Sequence, residues 1–194
     1  MDRVQMTAKL KEKLSAKRFE HSIGVSYTAG TMAFVHGEDY EKALVAGLLH
    51  DCAKYVPNDK KIQKCQKRGI EISDCEYKNP ELLHAKLSAV YAREKYDVKD
   101  EEILSAIAWH TTGRPKMSRL DKIIYIADYI EPNRSVLPEM EEIRKEAYTD
   151  LDRCLVHILH NCITYLEKKK AVVDPITQAT YNYYVRKRNN EQTC

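Results

Sequence analysis

The chain is predicted to be all-α on three observations. Apolar residues recur at three- and four-residue spacing along most of its length. Alternation of the strand type is hard to find. Six glycines and six prolines in 194 residues leave little turn punctuation. That length suffices for one domain with a substantial core. We read residues 1–194 as a single domain: an N-terminal helix over 1–16, a core over about 17–167 and a C-terminal helix over 174–188. No internal repeat or low-complexity linker interrupts it.

Residues 2–15 read as a short amphipathic helix with Val4, Met6, Leu10 and Leu14 on one face and basic residues on the other. A helix from about Lys17 to His36 follows, with Phe19, Ile23, Tyr27, Gly30 and Phe34 at helical spacing. Its small residues Gly24, Ala29, Gly30 and Ala33 let a second helix approach, and Gly37 ends it as a C-cap. Asp39 opens the next helix, whose apolar run Leu44, Val45, Leu48 and Leu49 ends in His50 and Asp51. Pro57 closes that region. Residues 57–80 are the least regular, with a short helix over Asp59–Lys67 and punctuation at Gly69 and Pro80. Glu81–Tyr96 carries Leu83, Leu87, Val90 and Tyr91 on one face, with His84 beside it. Asp100–Thr112 puts Ile103, Ile107 and His110 on one stripe before Gly113 and Pro115 break it. Leu120–Glu131 places Asp128 one turn past Ile124, and Pro132 stops it. Asp150–Leu166 is the clearest amphipathic helix, from Leu151 through Cys154, Leu155, Ile158, Leu159, Cys162 and Ile163. Asp174 and Pro175, an N-cap and a first-turn proline, open a last helix through ITQATYNYYVRK.

Composition narrows the function classes. With 43% apolar and 31% charged residues the chain reads as soluble and globular. A net charge of +3 gives no argument for nucleic acid, and the basic runs Lys168–Lys170 and Arg186–Arg188 read as solvated helix ends. No apolar run approaches a bilayer span. The N-terminus MDRVQMTAKLKEKL lacks the apolar core of a signal peptide. Cys52, Cys65, Cys75, Cys154, Cys162 and Cys194 form no Cys-x-x-Cys pair. They are expected to be reduced thiols in a cytoplasmic protein.

A lone histidine on an apolar helix face is ordinarily a hydrogen-bonded core residue. Here the pattern is collective. His21, His50, Asp51, His84, His110 and Asp128 lie at or near the apolar faces of separate helices. A buried carboxylate needs a partner. Helices of a bundle can each project one ligand to a shared point, so the fold is expected to be a bundle with a metal site between helices. Neutral imidazole and carboxylate suit iron, manganese, zinc or nickel. His36 reads as a helix-end residue, and His157 and His160 lie off their helix's apolar stripe, facing solvent.

His21, LLHDCAK with His50 and Asp51, and Asp128 far downstream resemble the HD-domain superfamily of metal-dependent phosphohydrolases. LLHAKLSA around His84, AIAWHTTGRPKMSRLDKIIYIADYIEPNR from Ala106 to Arg134 and the DPITQATYNYY tail resemble the YqeK family more specifically. That family comprises bacterial symmetrical bis(5′-nucleosyl)-tetraphosphatases, which split diadenosine tetraphosphate into two ADP. The likeness runs from about His21 to Tyr184.

The resemblance implies one iron site held by His21, His50, Asp51 and Asp128, and a second position completed by His84 and His110 with Asp51 bridging. Asp51, His84 and His110 would be catalytic, supporting attack of water on a central phosphate; other divalent transition metals remain open. With the second position empty, His84 and His110 would bind the phosphates instead. Arg134 is expected as a bidentate phosphate clamp, or else as a surface residue paired with Glu131. Thr111 would donate its hydroxyl to phosphate. Lys54 and Arg114 are weaker candidates and read as surface charges before clamps. By resemblance Pro175, Ile176, Thr177 and Tyr181 lie near the nucleotide, the alternative being core packing by a tyrosine-rich helix. The expected partner is a small nucleotide, without nucleic acid or membrane, and the expected assembly a homodimer. Alternatives are an HD phosphohydrolase for a dNTP, guanosine tetraphosphate or nucleoside monophosphate, or a non-catalytic nucleotide-binding module.

Overall fold

A computed structural model describes residues 1–134 and 139–192, and among these every regular element is helical. The helices are α1 (Arg3–Lys11), α2 (Ala16–His36), α3 (Tyr40–Leu49), α4 (Asn58–Gln66), α5 (Asp74–Lys78), α6 (Leu83–Tyr96), α7 (Glu101–Trp109), α8 (Arg119–Ile130), α9 (Met140–Ala147), α10 (Leu151–Lys168) and α11 (Pro175–Gln192). A 3₁₀ turn, Pro80–Leu82, leads into α6.

α8 is the centre. Leu120, Ile123, Ile124, Tyr125, Ile126, Ala127 and Ile130 are all buried, and the charged Asp121 is buried with them, so neighbours enclose most of the helix. α2, α3, α7 and α10 surround it. α2 and α3 pack closely because Gly47 faces the α2 backbone: a Cβ there would stand 2.8 Å from Ser26 Cα. Local chemistry sets the ends. Asp2, Ser15, Asp39, Asp100, Ser118 and Asp150 accept N-terminal amide hydrogen bonds, and Gly37 closes α2 at φ +66°.

Several expectations are corrected. Ser15 caps α2 instead of ending the first helix. Val4 is 80% exposed, and only Met6, Leu10 and Leu14 of the expected α1 face are buried. On α2 the buried hydrophobic residues are Val25, Ala29, Met32 and Ala33, while Tyr27 and Phe34 face outward. The small side chains win that face because they allow α3 to lie against it. α5 and α9 were not anticipated; Ser73 and Glu76 form a capping box for α5, and α9 buries Met140, Ile143 and Ala147. His36 Nε2 meets Ala147 O at 2.8 Å, tying the end of α2 to α9. His157 is not free in solvent: its nitrogens pair with Glu146 (2.9 Å) and Glu139 (3.2 Å). Cys52, Cys65, Cys75 and Cys154 are buried free thiols, Cys162 is half-buried, and Cys194 lies outside the described residues.

Candidate metal centre and substrate cleft

Five helices deliver the six expected ligands to one point. α2 carries His21 and α6 carries His84. His50 and His110 are the C-caps of α3 and α7, Asp51 sits in the turn after α3, and Asp128 lies in the last turn of α8. Three helix C-termini therefore converge, and their partial negative charge favours a cation.

All four histidines are anchored through Nδ1. His50 donates to Gly47 O (2.7 Å), His84 to Glu81 O (2.5 Å) and His110 to Ile107 O (2.7 Å). His21 uses the Glu131 carboxylate at 3.0 Å. Each Nε2 is then an inward lone pair, the arrangement that outer partners impose on metal-ligating imidazoles. His21 Nε2 lies 3.0 Å and His50 Nε2 3.7 Å from Asp128 Oδ1. Asp51 Oδ2 lies 3.5 Å from His50 Nε2, and Asp51 Oδ1 lies 3.2 Å and 3.7 Å from Nε2 of His84 and His110. Nε2 of His84 and His110 face each other at 3.1 Å.

The chain's own atoms leave this centre unsatisfied. His21 Nε2, His50 Nε2 and Asp51 Oδ1 are buried without a hydrogen-bond partner, although such groups are costly to strand. Three ligand triplets have their donor atoms within 4.8 Å of one another: His21, His50, Asp51; His50, His110, Asp128; and Asp51, His84, His110. His50, Asp51 and His110 each belong to two of the three, so the triplets overlap. The nitrogen and oxygen donors fit a divalent transition metal.

Charge adjusts to the same geometry. Burial pushes the Asp51 carboxyl up, but His50, His110 and His84 outweigh it and hold it well below the usual carboxylate range. Burial likewise opposes ionisation of Asp128, and His21, His50 and Arg134 overcome it. Burial alone would lower His21; the Asp128 and Glu131 carboxylates raise it instead. Burial lowers His84, and Asp51 only partly offsets it.

The centre floors a cleft of about 570 Å³ whose wall includes Arg18, Lys54, Thr111 and Arg134. Arg18 Nη1 contacts Asp51 Oδ2 at 2.8 Å. The Arg134 guanidinium binds Asp128, at 2.8 Å to its carbonyl and 3.0 Å to Oδ1, and does not pair with the Glu131 carboxylate as its alternative assignment required; only its backbone N–H meets the Glu131 carbonyl, at 3.1 Å. Thr111 Oγ1 is 3.3 Å from His84 Nε2. Lys54 Nζ, 3.3 Å from His84 Nε2, also meets Glu81 Oε1 at 3.0 Å. Burial raises the Glu81 carboxyl, but Lys61 and Lys54 outweigh it and pull it to about 2. Arg114 is turned away, bound to the buried Asp121 at 2.9 Å.

Thr111 also lines a second cavity, of about 560 Å³, with Trp109, Leu82 and Ala85 and the start of α11. Pro175 and Ile176 line it; Thr177 and Tyr181 line neither opening. Thr177 is buried, and the Tyr181 ring lies tilted beside His160, their centroids 6.0 Å apart. Tyr184 is core, its hydroxyl accepting the Met117 N–H at 2.8 Å. Sequence reasoning missed Arg18, Glu81 and Glu131. Only Glu131 left a signal, one helical turn beyond Asp128.

Comparison with known proteins agrees with this architecture. Residues 18–133 match the HD domain model. The symmetrical bis(5′-nucleosyl)-tetraphosphatase of Halalkalibacterium halodurans is 43% identical over 94% of this chain and 96% of its own. That of Bacillus subtilis is 42% identical over 95% and 98%. A crystal structure from Clostridium acetobutylicum, described as a predicted HD superfamily hydrolase involved in NAD metabolism, superposes with a TM-score of 0.93 at 41% identity, covering 96% of this chain and 98% of that one. The chain belongs to the HD-domain family, in its branch of symmetrical bis(5′-nucleosyl)-tetraphosphatases.

Proposed function

We propose that the protein hydrolyses diadenosine tetraphosphate symmetrically to two ADP. The observation that carries this reading is the convergence of four inward imidazole lone pairs and two ionised aspartates at the base of a cleft walled by arginine and lysine, with His50 just beneath the other five. His21, His50, Asp51 and Asp128 would hold one iron ion, and His84 and His110 a second beside Asp51. Iron bound there supplies Lewis acidity toward water and phosphate oxygen.

The chain's own groups supply position and charge. Arg134, Lys54 and Arg18 spread positive charge along the cleft, where the tetraphosphate is most strongly anionic. Thr111 has a hydroxyl to donate. Water adds to one central phosphorus, the bond to the bridging oxygen breaks, and ADP leaves with the electron pair. The water's two protons pass to solvent as the products ionise. ADP leaves through a phosphate oxygen, so positioning and electrostatics carry the step, and no serine or cysteine nucleophile is needed. The second cavity, with Trp109 beside Pro175 and Ile176, has the apolar lining to take one nucleoside. Thr177 and Tyr181 frame the helix behind it.

Product analysis tests the reaction. Diadenosine tetraphosphate giving ADP alone supports it; ATP plus AMP, or no turnover, overturns it. His50→Ala is expected to lose more than the ~10–100-fold that removal of an outer partner costs, with helicity retained. Metal analysis of the purified protein reads iron directly. The same reading has a homodimer working in the cytoplasm on a small nucleotide, without nucleic acid or membrane. Sizing by light scattering checks the homodimer.

A further inference from the structure

Lys61 is the one lysine or arginine buried among the described residues, at 1% exposure. Its Nζ donates to Asn58 Oδ1 at 2.7 Å and to Glu81 Oε2 at 2.5 Å. The other oxygen of Glu81 takes Lys54 Nζ at 3.0 Å. Lys54 Nζ stands in the cleft, 4.0 Å from Asp51 Oδ1. A line of charge thus runs from the interior of α4 through Glu81 to the metal centre.

Burying an ammonium is costly, and apolar replacement of such an ion pair is often neutral or stabilising. Stability is therefore a weak reason for Lys61. Its geometry offers a stronger one. Lysine is flexible, and holding its ammonium in one place costs rotamer entropy. Glu81 supplies the anchor, but a carboxylate paired only with Lys54 would cancel the charge the cleft needs. Lys61 removes that conflict. Two cations share one carboxylate, so the trio keeps net positive charge and Lys54 retains N–H donors for phosphate.

We propose that Lys61 and Glu81 are a positioning pair that fixes the Lys54 ammonium in the cleft and keeps it electropositive toward the substrate's phosphates. The role rests on the phosphate-binding reading of the cleft given above. It also gives a task to α4, which contributes no ligand.

The test is a double-mutant cycle read by ADP binding in calorimetry, with metal content and melting temperature measured on each protein. Lys61→Met is expected to weaken ADP roughly tenfold, about the worth of one charge-assisted hydrogen bond, and to raise KM more than it lowers kcat, with metal content unchanged. In a Lys54→Met background the same change is expected to cost almost nothing. Lys61→Gln, which keeps a hydrogen bond to Glu81 without the charge, serves if the methionine variant does not fold. An unchanged ADP affinity, or an equal loss with and without Lys54, overturns the positioning role. Wild-type protein that binds ADP yet does not release it from diadenosine tetraphosphate would overturn the assigned reaction and leave the pair intact. Wild-type protein that binds no ADP would overturn the positioning role, and product analysis then decides the reaction by itself.

Discussion

At the residue scale, four histidines reach the same tautomer by different means. Three lean on carbonyls of their own chain segments; His21 leans on a carboxylate from 110 residues away. Glu131 is 1% exposed and also accepts the Asn133 N–H at 2.7 Å, so it is held on both sides. Gly24 leaves room for it, since a Cβ there would run into Oε2. Glu131→Gln can still accept a hydrogen bond but carries no charge to strengthen His21 as a ligand. It is expected to weaken metal affinity by about 10–100-fold, checked by titrating metal into chelator-stripped protein; unchanged affinity would remove Glu131 from the centre. The ligands were legible in the sequence because imidazoles and acids on apolar helix faces need explaining. Arg18 and Glu81 looked like ordinary surface charges. Their partners, Asp51 and Lys61, lie 33 and 20 residues away, and only the fold joins them.

At the element scale, helix ends do the positioning. α3 and α7 stop where their histidines must turn toward the centre, and α3 can reach there because Gly47 lies against α2. The same Gly47 carbonyl anchors His50. Gly47→Ala would push a methyl group against Ser26 backbone, which cannot yield as a side chain can. We expect a loss of about 1–3 kcal/mol, read as a melting temperature lower by about 2–4 °C per kcal/mol for a chain of this size. Melting at the wild-type temperature would show that the helices separate freely. Most helices were legible from their caps and periodicity. α5 was missed because five residues are too few to show a period, although Ser73 and Glu76 carried a capping signature. The outward face of α2 was misread because aromatic residues at helical spacing outweighed the small residues that decide the packing.

At the scale of the whole molecule, the centre is a cross-link between elements far apart in the chain, so an ion bound there stabilises the folded bundle alone. Ligand at a hundred times its dissociation constant adds about 2.7 kcal/mol; at about 2–4 °C per kcal/mol the melting temperature should rise by roughly 5–11 °C. The pH dependence has a definite sign. His21, raised above its ordinary 6.5, contributes ion-free stability that is fully present below that value and is lost as pH rises through the raised one. An incoming ion must displace this proton. Asp51 and Asp128, held low, are already ionised and need release none. The ion-induced rise in melting temperature should therefore grow as pH increases through neutrality and shrink on the acid side. Scanning calorimetry with and without metal across that interval measures it. His50→Ala should show a much smaller rise at every pH, because His50 belongs to two of the three ligand triplets and its loss leaves only Asp51, His84 and His110 intact. A full-sized rise in that variant would place the stabilising ion elsewhere in the molecule.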